Sequence, residues 1–164
     1  MRDTERRGFG VGILLATILL FLQACDPVQS EDAIGVTMIE GRVQVLYAPC
    51  AGEVVQSVEV DREVGPTDQR QNVLWRITSS GSSTTVFPVG ETPPDFTEQI
   101  ALAGPIPSSE KLLAVVRTNE FLTVDAFVPS SLTSDLVLNG HQKSLPEPSF
   151  EARAKSRCAS SIDR

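Results

Sequence analysis

Apolar side chains recur at every second position in short runs along this chain, and a period of two predicts strands rather than helices. Val43, Val45 and Tyr47 alternate with Arg42 and Gln44. Val54, Val55, Val58 and Val60 follow, with Ser57, Glu59 and Asp61 opposite the last pair. Val73, Trp75 and Ile77 alternate with Arg76 and Thr78, which turns Trp75 toward a core. Each run offers one face to a core and one to water.

The punctuation between the runs agrees. Ala48-Pro49-Cys50-Ala51-Gly52 reads as a turn between the first two strands. Thr84-Thr85-Val86-Phe87 is β-branched and aromatic, and the loop Ser79 to Ser83 makes it the expected return arm of a hairpin. Leu112 to Val116 is apolar on both faces and suits a central strand, with a short helix capped by Ser108 or Ser109 as the rival. Thr118-Asn119-Glu120 favours the strand, as a tight connection to the β-rich run from Phe121 to Val128. Asn139-Gly140 predicts a hairpin through a type I′ turn, which needs positive φ at both central residues. Phe150 to Cys158 is open between a last strand and a helical turn, and no amphipathic helical stretch of ten or more residues is read beyond the N-terminal apolar run. Prolines and glycines gather between runs, at Gly65-Pro66, Pro93-Pro94, Gly104-Pro105 and Pro146-Glu147-Pro148. About seven or eight short strands separated by such turns predict an all-β fold, an antiparallel β-sandwich of immunoglobulin-like or fibronectin-like topology. Cys50 and Cys158 lack the Cys–Trp–Cys spacing of an antibody domain.

The N-terminus follows a different pattern. Arg2, Arg6 and Arg7 stand against Asp3 and Glu5, and the 15 residues from Gly8 to Leu22 carry no charge. A helix needs about 20 apolar residues to span a hydrocarbon core, so the run is short for a permanent anchor and suits a cleaved leader. It ends in Leu22-Gln23-Ala24-Cys25. With an aliphatic residue three before the cysteine and a small one directly before it, the segment resembles a bacterial lipoprotein signal peptide. That resemblance implies cleavage before Cys25, acylation of its sulfur, and attachment to the extracytoplasmic face of a bacterial cell membrane. Residues 1–24 are then the signal peptide, 25–33 a lipidated tether, 34–158 a single domain and 159–164 a C-terminal tail. The run from Gly41 to Ile77, with Val73-Leu74-Trp75-Arg76-Ile77 at its end, resembles small lipoproteins of actinobacteria, a group that implies no activity.

With Cys25 assigned to lipid, Cys50 and Cys158 remain as an even pair in an oxidising compartment, and a disulfide between them is expected. Charge narrows the partners. From Cys25 onward 11 basic residues face 19 acidic ones. Nucleic acid needs a basic footprint, and anionic lipid a polybasic one, so lipid alone is left to hold the membrane. Aromatic residues are 5% of the chain, which predicts a core built mainly from Val, Leu, Ile and Ala.

Candidate chemistry is sparse. His141 is the single histidine and sits beside Asn139-Gly140, where a solvated loop residue is the expectation. No G-x-S-x-G elbow is present; Gly81-Ser82-Ser83 has only a superficial likeness to one. One histidine and two distant cysteines make no zinc site, and no D-x-D-x-D-G calcium loop occurs, so no metal or cofactor is expected. Glu59, Asp61 and Glu63 share one strand face, where charged residues are expected to be solvated. Phe87, Phe96 and Ile100, in a proline-rich stretch from Gly81 to Pro107, are read as loop anchors rather than contact residues. The functional expectation is a lipid-anchored envelope protein presenting a non-enzymatic sandwich to a protein or small ligand. The alternative is an envelope hydrolase using carboxylate or serine chemistry.

Overall fold

The computed structural model describes residues 32–63 and 72–161. Leu22 to Cys25, most of the expected tether and the Gly65-Pro66 turn lie outside the described residues.

Among the described residues, ten antiparallel strands form two sheets of five, a sandwich-like all-β fold. The strands are β1 (Ile34–Ile39), β2 (Arg42–Tyr47), β3 (Val55–Arg62), β4 (Asn72–Ser82), β5 (Val86–Pro88), β6 (Thr97–Ile100), β7 (Leu112–Thr118), β8 (Leu122–Phe127), β9 (Val137–Asn139) and β10 (Ser144–Leu145). One sheet runs β10-β9-β1-β2-β5, the other β6-β4-β3-β7-β8. The two strands that no apolar alternation announced are β1, buried at four successive positions, and β6, which is nearly all polar and exposed. Five strands per sheet also exceed the four and three of an immunoglobulin constant domain.

Period-two patterning explains the core. Val36, Val43, Val45 and Phe87 of the first sheet meet Val58, Val60, Trp75, Ile77, Leu112, Ala114, Val116 and Phe127 of the second in one cluster. Valine and isoleucine dominate, as β-branched side chains suit a pleated surface. The low aromatic content is misleading, however, because Trp75, Tyr47, Phe87 and Phe127 are the four largest fully buried side chains.

Several local expectations are corrected. Thr84 to Phe87 is not the return arm of a hairpin: β4 itself continues to Ser82, which pairs with Val55, and β5 crosses to the first sheet to pair with β2. Phe87 thereby enters the core, its ring 5.5 Å from that of Phe96 in an edge-to-face pair. Both act as anchors, while Ile100 is half-buried at the end of β6. The type I′ turn lies elsewhere. Glu40 (φ 52°) and Gly41 (φ 75°) join β1 to β2 as a two-residue loop, closed by the Ile39–Arg42 pair. Asn139-Gly140 does open a hairpin, β9–β10, but the left-handed residue is Gln142 (φ 58°). Gln142 N–H bonds Asn139 O at 2.7 Å, and its side chain donates to Ala126 O and Asp125 Oδ1, which holds it in that conformation.

The largest correction is a helix, α1 (Glu147–Ser161), where a strand or a single helical turn was expected. Pro148 is tolerated in its first turn, and Glu-Ala-Arg-Ala-Lys are good helix formers. The helix carries the chain three residues into the expected 159–164 tail. It buries Phe150 and Ala154, one turn apart, so its apolar stripe is too narrow to show as a periodic pattern. Phe150 packs with Leu46 and Val137 on the outer side of the first sheet. Gly35 of β1 makes that approach possible: a Cβ there would stand 2.4 Å from Val137 Cγ1 and 3.1 Å from the Phe150 ring. Part of one outward face of the sandwich, around Leu46 and Val137, is therefore covered by the chain's own helix.

Candidate functional site: an open groove on the second sheet

The outward face of the second sheet has no such cover from α1. Side chains alternate across it, so β3 contributes Glu59 and Asp61, β4 Arg76 and Thr78, β7 Leu113, Val115 and Arg117, and β8 Leu122 and Val124. These residues line a groove of about 600 Å³. Register sets their order. Glu59 sits between Arg76 and Val115, with Val124 beyond; Asp61 is opposite Leu113, with Ala126 beyond. The β3–β4 side of the groove is charged, and the β7–β8 side is apolar apart from Arg117. The interior position of β7 was legible from its two apolar faces, but the second of them meets the groove instead of another layer.

The acidic row on β3 departs from a solvated sheet face. Glu59 Oε2 accepts a hydrogen bond from Arg76 Nη2 at 2.7 Å, and both side chains are half-buried. Glu63, at the strand's end, takes Lys111 Nζ at 2.8 Å. Asp61 is only 5% exposed, and its Oδ1 is buried without a hydrogen-bond partner. Burial, followed by the neighbouring Glu59 charge, raises its pKa to about 6 against the pull of Arg76. A perturbed carboxyl in a cleft marks a candidate functional position. Period two placed Asp61 on an outward face; its burial depends on Leu113 and Val115 standing beside it, which only sheet order reveals.

The raised pKa has a measurable consequence. Between the unfolded value of 3.8 and about 6, the folded state binds the Asp61 proton and the unfolded chain does not. Stability from this group is full below the unfolded pKa and is lost as pH rises through 6, by about 3 kcal/mol for a shift of roughly two units. Asp61→Asn is therefore expected to raise the unfolding midpoint at pH 7.5 and leave it unchanged near pH 3.5. Denaturant melts of both proteins at the two pH values check this; equal stability at pH 7.5 would contradict it.

A second cavity, of about 420 Å³, opens at one end of the sandwich between Met38, Val43, Val89, Leu102, Ile106 and Pro129. It is apolar and carries no buried acid or base, only the salt-bridged Arg42 at its lip.

The remaining polar cluster is a fastening. Cys50 and Cys158 are bonded, with Cα atoms 5.4 Å apart, as expected from the sequence. Beside them Glu53, 6% exposed, accepts from Tyr47 Oη at 3.0 Å and from Cys50 N–H at 2.8 Å. Arg157 of α1 donates to both Glu53 oxygens and to Ala48 O. Burial alone would raise the Glu53 carboxyl; the Arg157 and Cys50 hydrogen bonds, the Arg157 charge and the Tyr47 hydroxyl outweigh it, and its pKa is lowered. The Tyr47 phenol is pushed far up by burial and then by the Glu53 charge. Sequence reading found the cysteines here but not Glu53 or Arg157, which lie 104 residues apart.

His141 Nε2 stands 3.1 Å from Asp32 Oδ1, and both side chains are more than a third exposed. Among the described residues no group of three His, Cys, Asp or Glu side chains is placed to hold a metal. No described helix is long and apolar enough to cross a membrane. Cys25 lies outside the described residues. No protein-family model, curated protein or solved structure matches this chain.

Proposed function

We propose that this protein is a lipid-anchored binding module of a bacterial cell envelope, tethered through Cys25, whose working surface is the groove on the second sheet. The carrying observation is the asymmetry of the two outward faces. An antiparallel sheet exposed to water ordinarily alternates apolar inward and polar outward. Of the first sheet's outward apolar residues, Leu46 and Val137 are covered by Phe150 of α1, while Ile39 at a strand end and Val86 on the edge strand stand exposed and separate. The second sheet's, Leu113, Val115, Leu122 and Val124, line an open groove. Apolar residues concentrated in a concave site beside a few fixed polar groups are the composition of a ligand site. The leader motif supports the location, and the acidic balance leaves lipid rather than charge to supply the attachment.

A photoreactive residue substituted for Val115 in cells tests both halves. In the wild-type background it is expected to give a discrete crosslinked product in the membrane fraction. In Cys25→Ala the protein is expected to lose lipid labelling and leave that fraction. Unchanged membrane retention of Cys25→Ala would overturn the anchor. A crosslinking yield at Val115 no higher than at exposed Glu151 would overturn the groove.

One observation favours the hydrolase alternative in its carboxylate form: Asp61, with its raised pKa, stands two residues from Glu59 on one face, as an acid and its partner carboxylate would. Turnover of a glycoside and ester panel, lost in both Asp61→Asn and Glu59→Gln, would be its signature.

A further inference from the structure

Asp61 occupies an unusual position among the charged groups of the groove. It lines the cavity while 5% exposed, its Oδ1 is buried and unpartnered, and among the described residues no hydrogen bond or ion pair reaches its carboxyl. Among the described residues, the neighbouring cations are committed elsewhere. Arg76 bonds Glu59 at 2.7 Å, Arg62 pairs with Glu110 at 2.8 Å, and Lys111 pairs with Glu63 at 2.8 Å. Arg117 is four residues along β7 from Leu113, the cross-strand partner of Asp61, which is about 13 Å of strand. A buried carboxylate left without a partner costs stability, so its neighbours have not been arranged to satisfy it.

Resting on the groove as the binding surface, we propose that Asp61 anchors a small cationic amphiphile, a primary ammonium on a short alkyl stem. The ammonium donates to the Asp61 carboxylate in a charge-assisted hydrogen bond. The stem lies across Leu113, Val115 and Val124, which follow in the next strands of the same face. The cavity of about 600 Å³ has the size of a small-molecule site. The two described arginines at this end, Arg62 and Arg76, are each charge-paired with a glutamate, which weakens their pull on an anion.

Methyl NMR of the full-length protein at pH 7.5, titrated separately with hexylammonium, hexanol, hexanoate and the peptide acetyl-Ser-Lys-Ser-amide, tests the assignment. Hexylammonium is expected to shift the Leu113, Val115 and Val124 methyls saturably, at least tenfold more tightly than hexanol or hexanoate. In Asp61→Asn, expected to be the more stable protein at this pH, that preference should vanish. Equal affinity for hexylammonium and hexanol, a preference that survives in Asp61→Asn, or no shift with hexylammonium would each overturn the cation assignment. Tighter binding of the peptide than of hexylammonium would overturn the small ligand in favour of a partner's lysine. Crosslinking from Val115 in cells judges the groove independently, so a groove that captures a partner yet ignores hexylammonium refutes this inference alone.

Discussion

Reduction of the Cys50–Cys158 bridge is expected to lower the stability of the folded domain by about 4–5 kcal/mol and its thermal midpoint by about 10–20 °C. The bond closes a loop with a sequence separation of 108, and in the chain-entropy treatment a loop of that length removes much of the unfolded chain's freedom. Besides the bond, the helical end of the loop is held by the Arg157 hydrogen bonds to Glu53 and Ala48 and by few apolar contacts. Phe150 and Ala154 are the buried apolar residues of α1, and Phe150 belongs to the minor cluster rather than the main core. A reduced protein should therefore lose α1 first, exposing Leu46 and Val137, while the groove on the opposite sheet keeps its shape. Thermal melts with and without reductant, and of Cys158→Ser, measure the effect; an unchanged midpoint would contradict it.

Removing Glu53 is expected to cost nearly as much. Its side chain is 2% exposed and that of Arg157 is 14% exposed, so this is a desolvated pair. Breaking such a pair from one side leaves the other charge buried, at about 3–5 kcal/mol, whereas replacing both by apolar groups is often close to neutral. Glu53→Gln should destabilise by that amount, and Glu53→Gln with Arg157→Met by clearly less. An additive double variant would show that the two residues act independently. The pH dependence has the sign opposite to that of Asp61. The Glu53 pKa is depressed below 4.5, so its contribution is present above that value and is lost as pH falls through the folded pKa. Wild-type stability should therefore weaken in two directions, through Glu53 as pH falls below 4.5 and through Asp61 as pH rises from 3.8 to about 6, where that loss is complete.

The two carboxylates show how far sequence could be read. Alternation placed Val58, Val60, Trp75 and Ile77 in the core and Glu59 and Asp61 on the opposite face, and the structure agrees. The same alternation gave sandwich-like architecture, because period two depends only on neighbours along the chain. Burial of Asp61 depends on β7, some fifty residues later, lying beside β3 in register with it. No local pattern carries that pairing. Glu53 and Arg157 failed for the same reason: a glutamate after a turn and an arginine near the C-terminus become partners only after the disulfide and α1 close the chain. The I′ turn at Glu40-Gly41 was missed because Asn-Gly is the stronger signal, and Asn139-Gly140 instead starts a three-residue loop fixed by the Gln142 side chain. The disulfide was legible from counting cysteines, once one of them was assigned to lipid.

Side-chain hydroxyl-radical footprinting of the protein on intact cells, compared with the purified full-length protein, tests the groove most directly. Leu113, Val115, Leu122 and Val124 report on it, and Ile39 and Val86, the exposed large hydrophobics, serve as internal controls. The account predicts that oxidation of the four groove residues falls severalfold in cells while Ile39 and Val86 are oxidised equally in both samples. Equal oxidation of the groove residues in the two samples would contradict it.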